Sequence, residues 1–192
     1  MILTIGHSTH EIDELVRLLS EHATERVVDI RSSPFSARAP QFNRPVLQQR
    51  LRRERMAYEF AGDVLGGRPE DPALYVNNQV SYARVRNSEV FRVALSELTQ
   101  TAAAGRTVLL CSEAEPLECP RFLLIGRELV HRGVEVHHIL RDGQAESQRE
   151  TEARLVELTR QGTPDLFAAP EELLDRAYQI QEARIAFKRQ DV

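Results

Sequence analysis

The 192-residue chain has no tryptophan, two cysteines (Cys111 and Cys119) and a single lysine, Lys188. Two thiols are too few for a disulfide framework, and no four Cys or His ligands stand at zinc-site spacing, so no metal site is expected from spacing. No apolar run approaches the ~20 residues that a membrane-spanning helix needs. The opening segment, Met1-Ile-Leu-Thr-Ile-Gly6, lacks a basic stretch and a long apolar core. No signal peptide and no membrane partner are therefore expected, and the cytoplasm is the expected location. Gly6 stands alone after its strand, so the G-x-G-x-x-G dinucleotide fingerprint is missing, and so is a P-loop. These absences leave any cofactor unassigned.

The residues present are 42% hydrophobic and 28% charged, the balance of a soluble globular protein. The length suits a single domain, 1–192, with a full core, and is short for two. The net charge of −4 gives no global attraction to nucleic acid. The charge is unevenly spread, however. Residues 31–55 carry seven arginines (Arg31, Arg38, Arg44, Arg50, Arg52, Arg53 and Arg55) against one acid, Glu54. A codon bias toward arginine accounts for the missing lysine but not for this clustering.

Ile2–Ile5, Arg26–Arg31, Thr107–Cys111 and Val134–Leu140 read as strands buried on both faces, and Tyr58–Phe60 as a short one. Between them lie helical patterns. Ile12, Leu15, Val16 and Leu19 share a face, and Ser8 with Glu11 forms a capping-box pattern. An arginine-rich helix is expected from about Pro45 to Arg55. A further helix, broken near Asn87-Ser88, runs from Ser81 to about residue 104, with Val90, Val93, Ala94 and Leu98 on one face and Gly105 as its cap. Another starts at Cys119-Pro120 and ends at Gly133. Residues 145–192 read as a C-terminal helical extension. Its first helix is capped by Ser147 and Glu150, its second runs from Pro170 to about Lys188, and residues 161–169 link them. Strands alternating with helices imply a three-layer α/β sandwich, Rossmann-like, with a mostly parallel sheet and helices on both faces. Ligands in such folds bind beyond the carboxyl ends of the strands.

The loops at those ends hold His7 and Ser8, then Asp29, Arg31, Ser36 and Arg38, then Cys111, Glu113, Cys119 and Arg121. Cys111 reads either as a small buried hydrophobe or as a nucleophile. Cys119, at a helix start beside Arg121, reads either as a cap position or as a thiol activated by helix charge and guanidinium. The two could also cycle as dithiol and disulfide. Glu113 and His7 are candidate proton carriers. Arg31, Arg38 and Arg121 form a candidate anion clamp with the helix starts at Ser8 and Cys119, while Asp29 and Arg31 could equally be a structural ion pair. His137 and His138 read as structural.

The chain carries Thr4-Ile-Gly-His-Ser8, then Val28-Asp-Ile-Arg31 followed by Pro34, Ser36 and Arg38, then Leu65-Gly-Gly67. Further on come Leu109-Leu-Cys-Ser-Glu113 with Pro116, Cys119 and Arg121, and Val136-His-His-Ile139. In this order, over about residues 2–142, these pieces resemble the domain of unknown function 488 family. The family usually has Cys-His-Arg where this chain has Cys119-Pro120-Arg121. If that histidine is a base or a ligand, the resemblance implies a diverged, binding-only member. If it only packs, proline at the first helical position is a stabilising substitute. Three functions follow as expectations. The first is an enzyme acting on a nucleotide, nucleic acid or other phosphorylated anion. The second is a nucleic-acid-binding protein using residues 31–55. The third is an interaction domain using the C-terminal helices.

Overall fold

A computed structural model describes residues 1–103, 105–159 and 169–189. Apart from Ala169, the expected linker 161–169 lies outside the described residues. The sheet strands are β1 (Ile2–Gly6), β2 (Arg26–Asp29), β3 (Ala57–Phe60), β6 (Thr107–Cys111), β7 (Val136–Ile139) and β8 (Ala145–Ser147); β4 (Tyr75–Val76) and β5 (Gln79–Val80) form a separate hairpin. The helices are α1 (Ile12–Glu21), α2 (Arg44–Arg53), α3 (Tyr82–Asn87), α4 (Glu89–Ala103), α5 (Arg127–His131), α6 (Gln148–Thr159) and α7 (Pro170–Ile185). The sheet order is β3-β2-β6-β1-β7-β8, parallel except for the edge strand β8.

From β1 the chain moves outward to β2 and β3, then returns to β6 and crosses β1 to β7. Right-handed crossovers in opposite directions place their helices on opposite faces. Strand alternation matches this split. Leu3, Ile5, Val27, Val108 and Leu110 pack with Leu15 and Leu19 of α1 and Leu47 and Leu51 of α2. Ile2, Val28 and Leu109 pack with Phe91 and Leu95 of α4, Leu129 of α5, Leu155 of α6 and Tyr178 of α7. The result is the expected three-layer α/β sandwich.

Several local expectations are corrected. Helix α1 begins at Ile12, with Glu11 rather than Ser8 at its cap and no capping side chain. The sheet claims the intervening chain: His7 N–H donates to the Cys111 carbonyl and Ser8 N–H to the Ser112 carbonyl, each at 2.9 Å. Ser8 then turns with a left-handed φ of 45°. The break before α4 is where it was expected, but the buried face is Phe91, Leu95 and Leu98. Val90 and Val93 are 61% and 50% exposed. Gly105 does not carry the left-handed φ of a glycine cap, whereas Gly133 does, at 76°. After Pro120 the chain forms a π-helical turn, Arg121–Gly126, that runs into α5. The β4–β5 hairpin was not anticipated; its Asn77-Asn78 turn has φ of 49° and 62°, the two positive values of a type I′ turn.

Candidate active site

Parallel register brings the carboxyl ends of β1, β6 and β2 to one edge, with Gly6 beside Cys111 and Asp29 beside Leu110. A cleft of about 340 Å³ opens there, floored by Arg31, Cys111, Ser112 and Glu113 and walled by Arg68, Tyr82, Pro120 and Phe187. Its centre is the loop after β6. One carboxylate oxygen, Glu113 Oε2, accepts from Cys111 Sγ at 2.8 Å and from Cys119 Sγ at 3.1 Å. Burial works to raise the Glu113 carboxyl, but the two thiol hydrogen bonds, together with its own backbone N–H and the charge of Arg121, hold it below the usual carboxylate range. Glu113 is therefore an anion at neutral pH, placed to take a thiol proton. Burial pushes the Cys119 thiol up, and this sulfur is fully enclosed, while Cys111 keeps 6% of its surface and lines the cleft.

Arg121 shapes this loop. Its fully buried guanidinium donates from Nη1 to the Glu113 carbonyl and from Nη2 to the Ala114 carbonyl at 2.7 Å. Its backbone N–H points at Cys119 Sγ, 3.5 Å away. A Cβ on Gly6 would lie 1.6 Å from the Glu113 oxygen and 2.4 Å from Arg121 Nη1, so only glycine allows this approach. Gly67 has a similar role on the opposite wall, where a Cβ would sit 2.6 Å from Pro120 Cγ. The Leu65-Gly-Gly67 motif thus seats the chain after β3 against the β6 loop. Pro120 faces the cleft.

Arg31 and Asp29 form a buried bidentate pair. Arg31 Nε reaches Asp29 Oδ1 at 2.8 Å and Nη2 reaches Oδ2 at 2.6 Å. The Tyr58 hydroxyl adds a bond to Oδ2 at 2.7 Å, and Arg31 Nη2 also donates to the Phe42 carbonyl at 2.9 Å. Burial pushes the Tyr58 phenol above 10, with help from Asp29. Arg31 lines the cleft, but its charge is balanced from within. His7 is stacked on Phe42, with 4.3 Å between ring centroids, and its Nδ1 lies 3.0 Å from the Ser8 carbonyl. Burial, reinforced by Arg31, lowers it to about 4, so the ring is neutral at pH 7.

Of the residues picked from sequence, the structure gathers Cys111, Cys119, Glu113, Arg121, Asp29 and Arg31. His7 and Ser8 lie on the adjoining turn, outside the cleft lining. Ser36 and Arg38 are exposed on the loop after β2 and turn toward it: Ser36 N–H donates to Asn43 Oδ1 at 2.7 Å and Arg38 N–H to Ser36 Oγ at 3.2 Å. The expected three-arginine clamp is thus not assembled: Arg38 is outside the cleft lining, and Arg121 spends its Nη donors on loop carbonyls. Sequence reading missed Arg68, Tyr82 and Phe187. Arg68 stacks on the Phe187 ring at 4.7 Å, and burial pushes the Tyr82 phenol up. The Leu-Gly-Gly run just before Arg68 was a signal for it; Phe187 had none, since it reaches the cleft from the far end of the chain.

No curated protein and no solved structure matches the chain. The family model described as "Domain of unknown function DUF488" matches residues 11–127, which takes in Arg31, Leu65-Gly-Gly67 and the whole Cys111–Arg121 loop and leaves out the Thr4–Ser8 and Val136–Ile139 pieces. With more than half of its length matched, the chain belongs to the DUF488 family.

Proposed function

We propose that this protein is an enzyme that acts on a small anionic substrate, phosphorylated or nucleotide-like, at the Cys111–Glu113–Cys119 centre. The observation that carries the reading is the single Glu113 oxygen held by both thiols on the floor of the cleft. Cys111 Sγ is the sulfur that meets substrate. Glu113 takes the thiol proton as Cys111 Sγ bonds to the electrophilic atom of the substrate and the bond to the leaving group breaks, and it returns that proton to the departing group, while Cys119 holds the carboxylate in place. Among the described residues Arg68 forms no ion pair, and it stands at the cleft with its guanidinium available to an anion.

The nucleic-acid-binding reading draws less support. Arg31 is neutralised by Asp29, Arg50 is paired with Asp13 and Glu54, and Arg44 lies over the Phe60 ring. The interaction-domain reading draws less as well. Helix α7 turns Ala177, Tyr178 and Gln181 into its own domain, with Leu174 and Ile185 packed on the core.

Alkylation of the full-length, metal-free chain by iodoacetamide, read at each cysteine by mass spectrometry, tests the proposal. Cys111 is expected to be modified well before Cys119. Inorganic phosphate is expected to slow it, and Glu113→Gln to slow it further. Two equally slow thiols, indifferent to phosphate and to Glu113→Gln, would make the centre structural.

A further inference from the structure

We propose that the same centre binds one soft divalent cation of the zinc class through Cys111 Sγ, Glu113 Oε2 and Cys119 Sγ, with a fourth position open to the cleft. The three ligand atoms already lie within 4.8 Å of one another. Tetrahedral zinc, with Zn–S near 2.3 Å and Zn–O near 2.0 Å, sets S···O at about 3.5 Å and S···S at about 3.8 Å. The observed S···O distances of 2.8 and 3.1 Å must therefore widen by about 0.7 and about 0.4 Å. Spacing in the sequence hid this set, because one of the three ligands is a carboxylate and the loop from Cys111 to Cys119 closes on itself.

The charge balance of the pocket is compatible with such an ion. Arg121 is fully buried and, among the described residues, has no carboxylate ion-pair partner, and its Nε has no hydrogen-bond partner. The Glu113 carboxylate is a nearby opposite charge, and Arg121 reaches that residue through its backbone carbonyl. Binding releases both thiol protons to solvent through the cleft: a divalent ion and two thiols give an ion held by two thiolates, plus two protons. The buried net charge is unchanged by that exchange, so the ion enters without the cost of an uncompensated charge. Three protein ligands with an open position are the pattern of a reactive rather than a structural site. The inference rests on the reading of the cleft as the active site. It changes which atom meets the anion: the bound ion in the loaded chain, Cys111 Sγ in the metal-free one.

The test uses the reduced, metal-free full-length chain titrated with Co²⁺ and then Zn²⁺. One Co²⁺ per chain is expected, with thiolate-to-cobalt charge-transfer absorption, displacement by Zn²⁺ and release of about two protons per ion. Changes in groups that only orient ligands cost about 10–100-fold in affinity, so Cys111→Ser, Cys119→Ser and Glu113→Gln are each expected to cost more than that, the serine variants also losing the absorption. Circular dichroism establishes that each variant is folded, and if Cys119→Ser is not, Cys111→Ser decides. Absence of the charge-transfer absorption at millimolar Co²⁺, or wild-type affinity in folded Cys111→Ser, overturns the proposal. Phosphate-protected alkylation of the metal-free chain is read separately, so failure of the metal site and failure of the enzyme reading give different results.

Discussion

His138 shows what the core does to a single polar side chain. Its Nδ1 lies 2.7 Å from the Thr4 hydroxyl and its Nε2 2.8 Å from Gln148 Oε1, and it is fully buried beside the Phe122 ring. The neutral ring, with Nε2–H donating, satisfies both bonds. Burial, reinforced by the charge of Arg121, lowers its pKa to about 3. The unfolded chain takes up a proton on this ring below about 6.5, while the folded chain does not until about 3. Stability from this group is therefore complete above pH 6.5 and falls by up to about 1.4 kcal/mol per pH unit as pH drops toward 3. His7, lowered to about 4, adds a second contribution with the same sign over a shorter window. Urea denaturation at pH 7, 6, 5 and 4 should show a shallower loss in His138→Gln than in wild type, whatever the absolute stabilities. Parallel losses would mean that His138 is not held neutral by the fold. Its reading as structural was available from sequence, because adjacent histidines on a strand take opposite faces. Its partner Thr4 was not, since that residue lies 134 positions away in the chain.

At the scale of elements, the strongest sequence signals were those with a local cause. The capping box before α6 is present in both directions: Glu150 N–H donates to Ser147 Oγ at 3.2 Å, and Ser147 N–H donates to Glu150 Oε2 at 2.8 Å. Ser147→Ala is expected to cost about 1 kcal/mol, read as a lower denaturation midpoint with an unchanged slope. An unchanged midpoint would show that β8, which delivers Ser147 to the helix, already fixes the helix start without the cap. The same pattern at Ser8 and Glu11 gave no such helix start. There the backbone of His7 and Ser8 is bonded to the end of β6, a long-range demand that a four-residue pattern does not contain. The shifted face of α4 has a similar origin. Val90 and Phe91 fit helical periodicity equally well, and packing of Phe91 against the sheet side chosen by the crossover settles between them.

At the scale of the whole molecule, the parallel sheet made most of the candidate site legible. Once five strands run the same way, residues at their carboxyl ends must converge. Cys111, Glu113, Asp29 and Arg31 were found on that argument. It fails where a loop leaves the edge, as with Ser36 and Arg38, and where the wall of the cleft comes from elsewhere in the chain. The last segment of that wall is held by the β4–β5 hairpin, with Val80 N–H donating to the Phe187 carbonyl at 2.9 Å, so the C-terminal segment completes a cleft floored by the loops after β2 and β6. A net charge of −4 also means that an anion is drawn to a local site rather than to the molecule at large. This local site is the cleft and not the exposed arginines at and just beyond the end of α2. The most direct measurement is a phosphate titration of the full-length, ¹⁵N-labelled chain, followed through its backbone amide resonances. The account predicts saturating shifts at Ser32, Arg68, Ser112 and Glu113 that are lost in Arg68→Ala. Shifts centred on Arg52, Arg53 and Arg55, with the cleft amides unmoved, would contradict it.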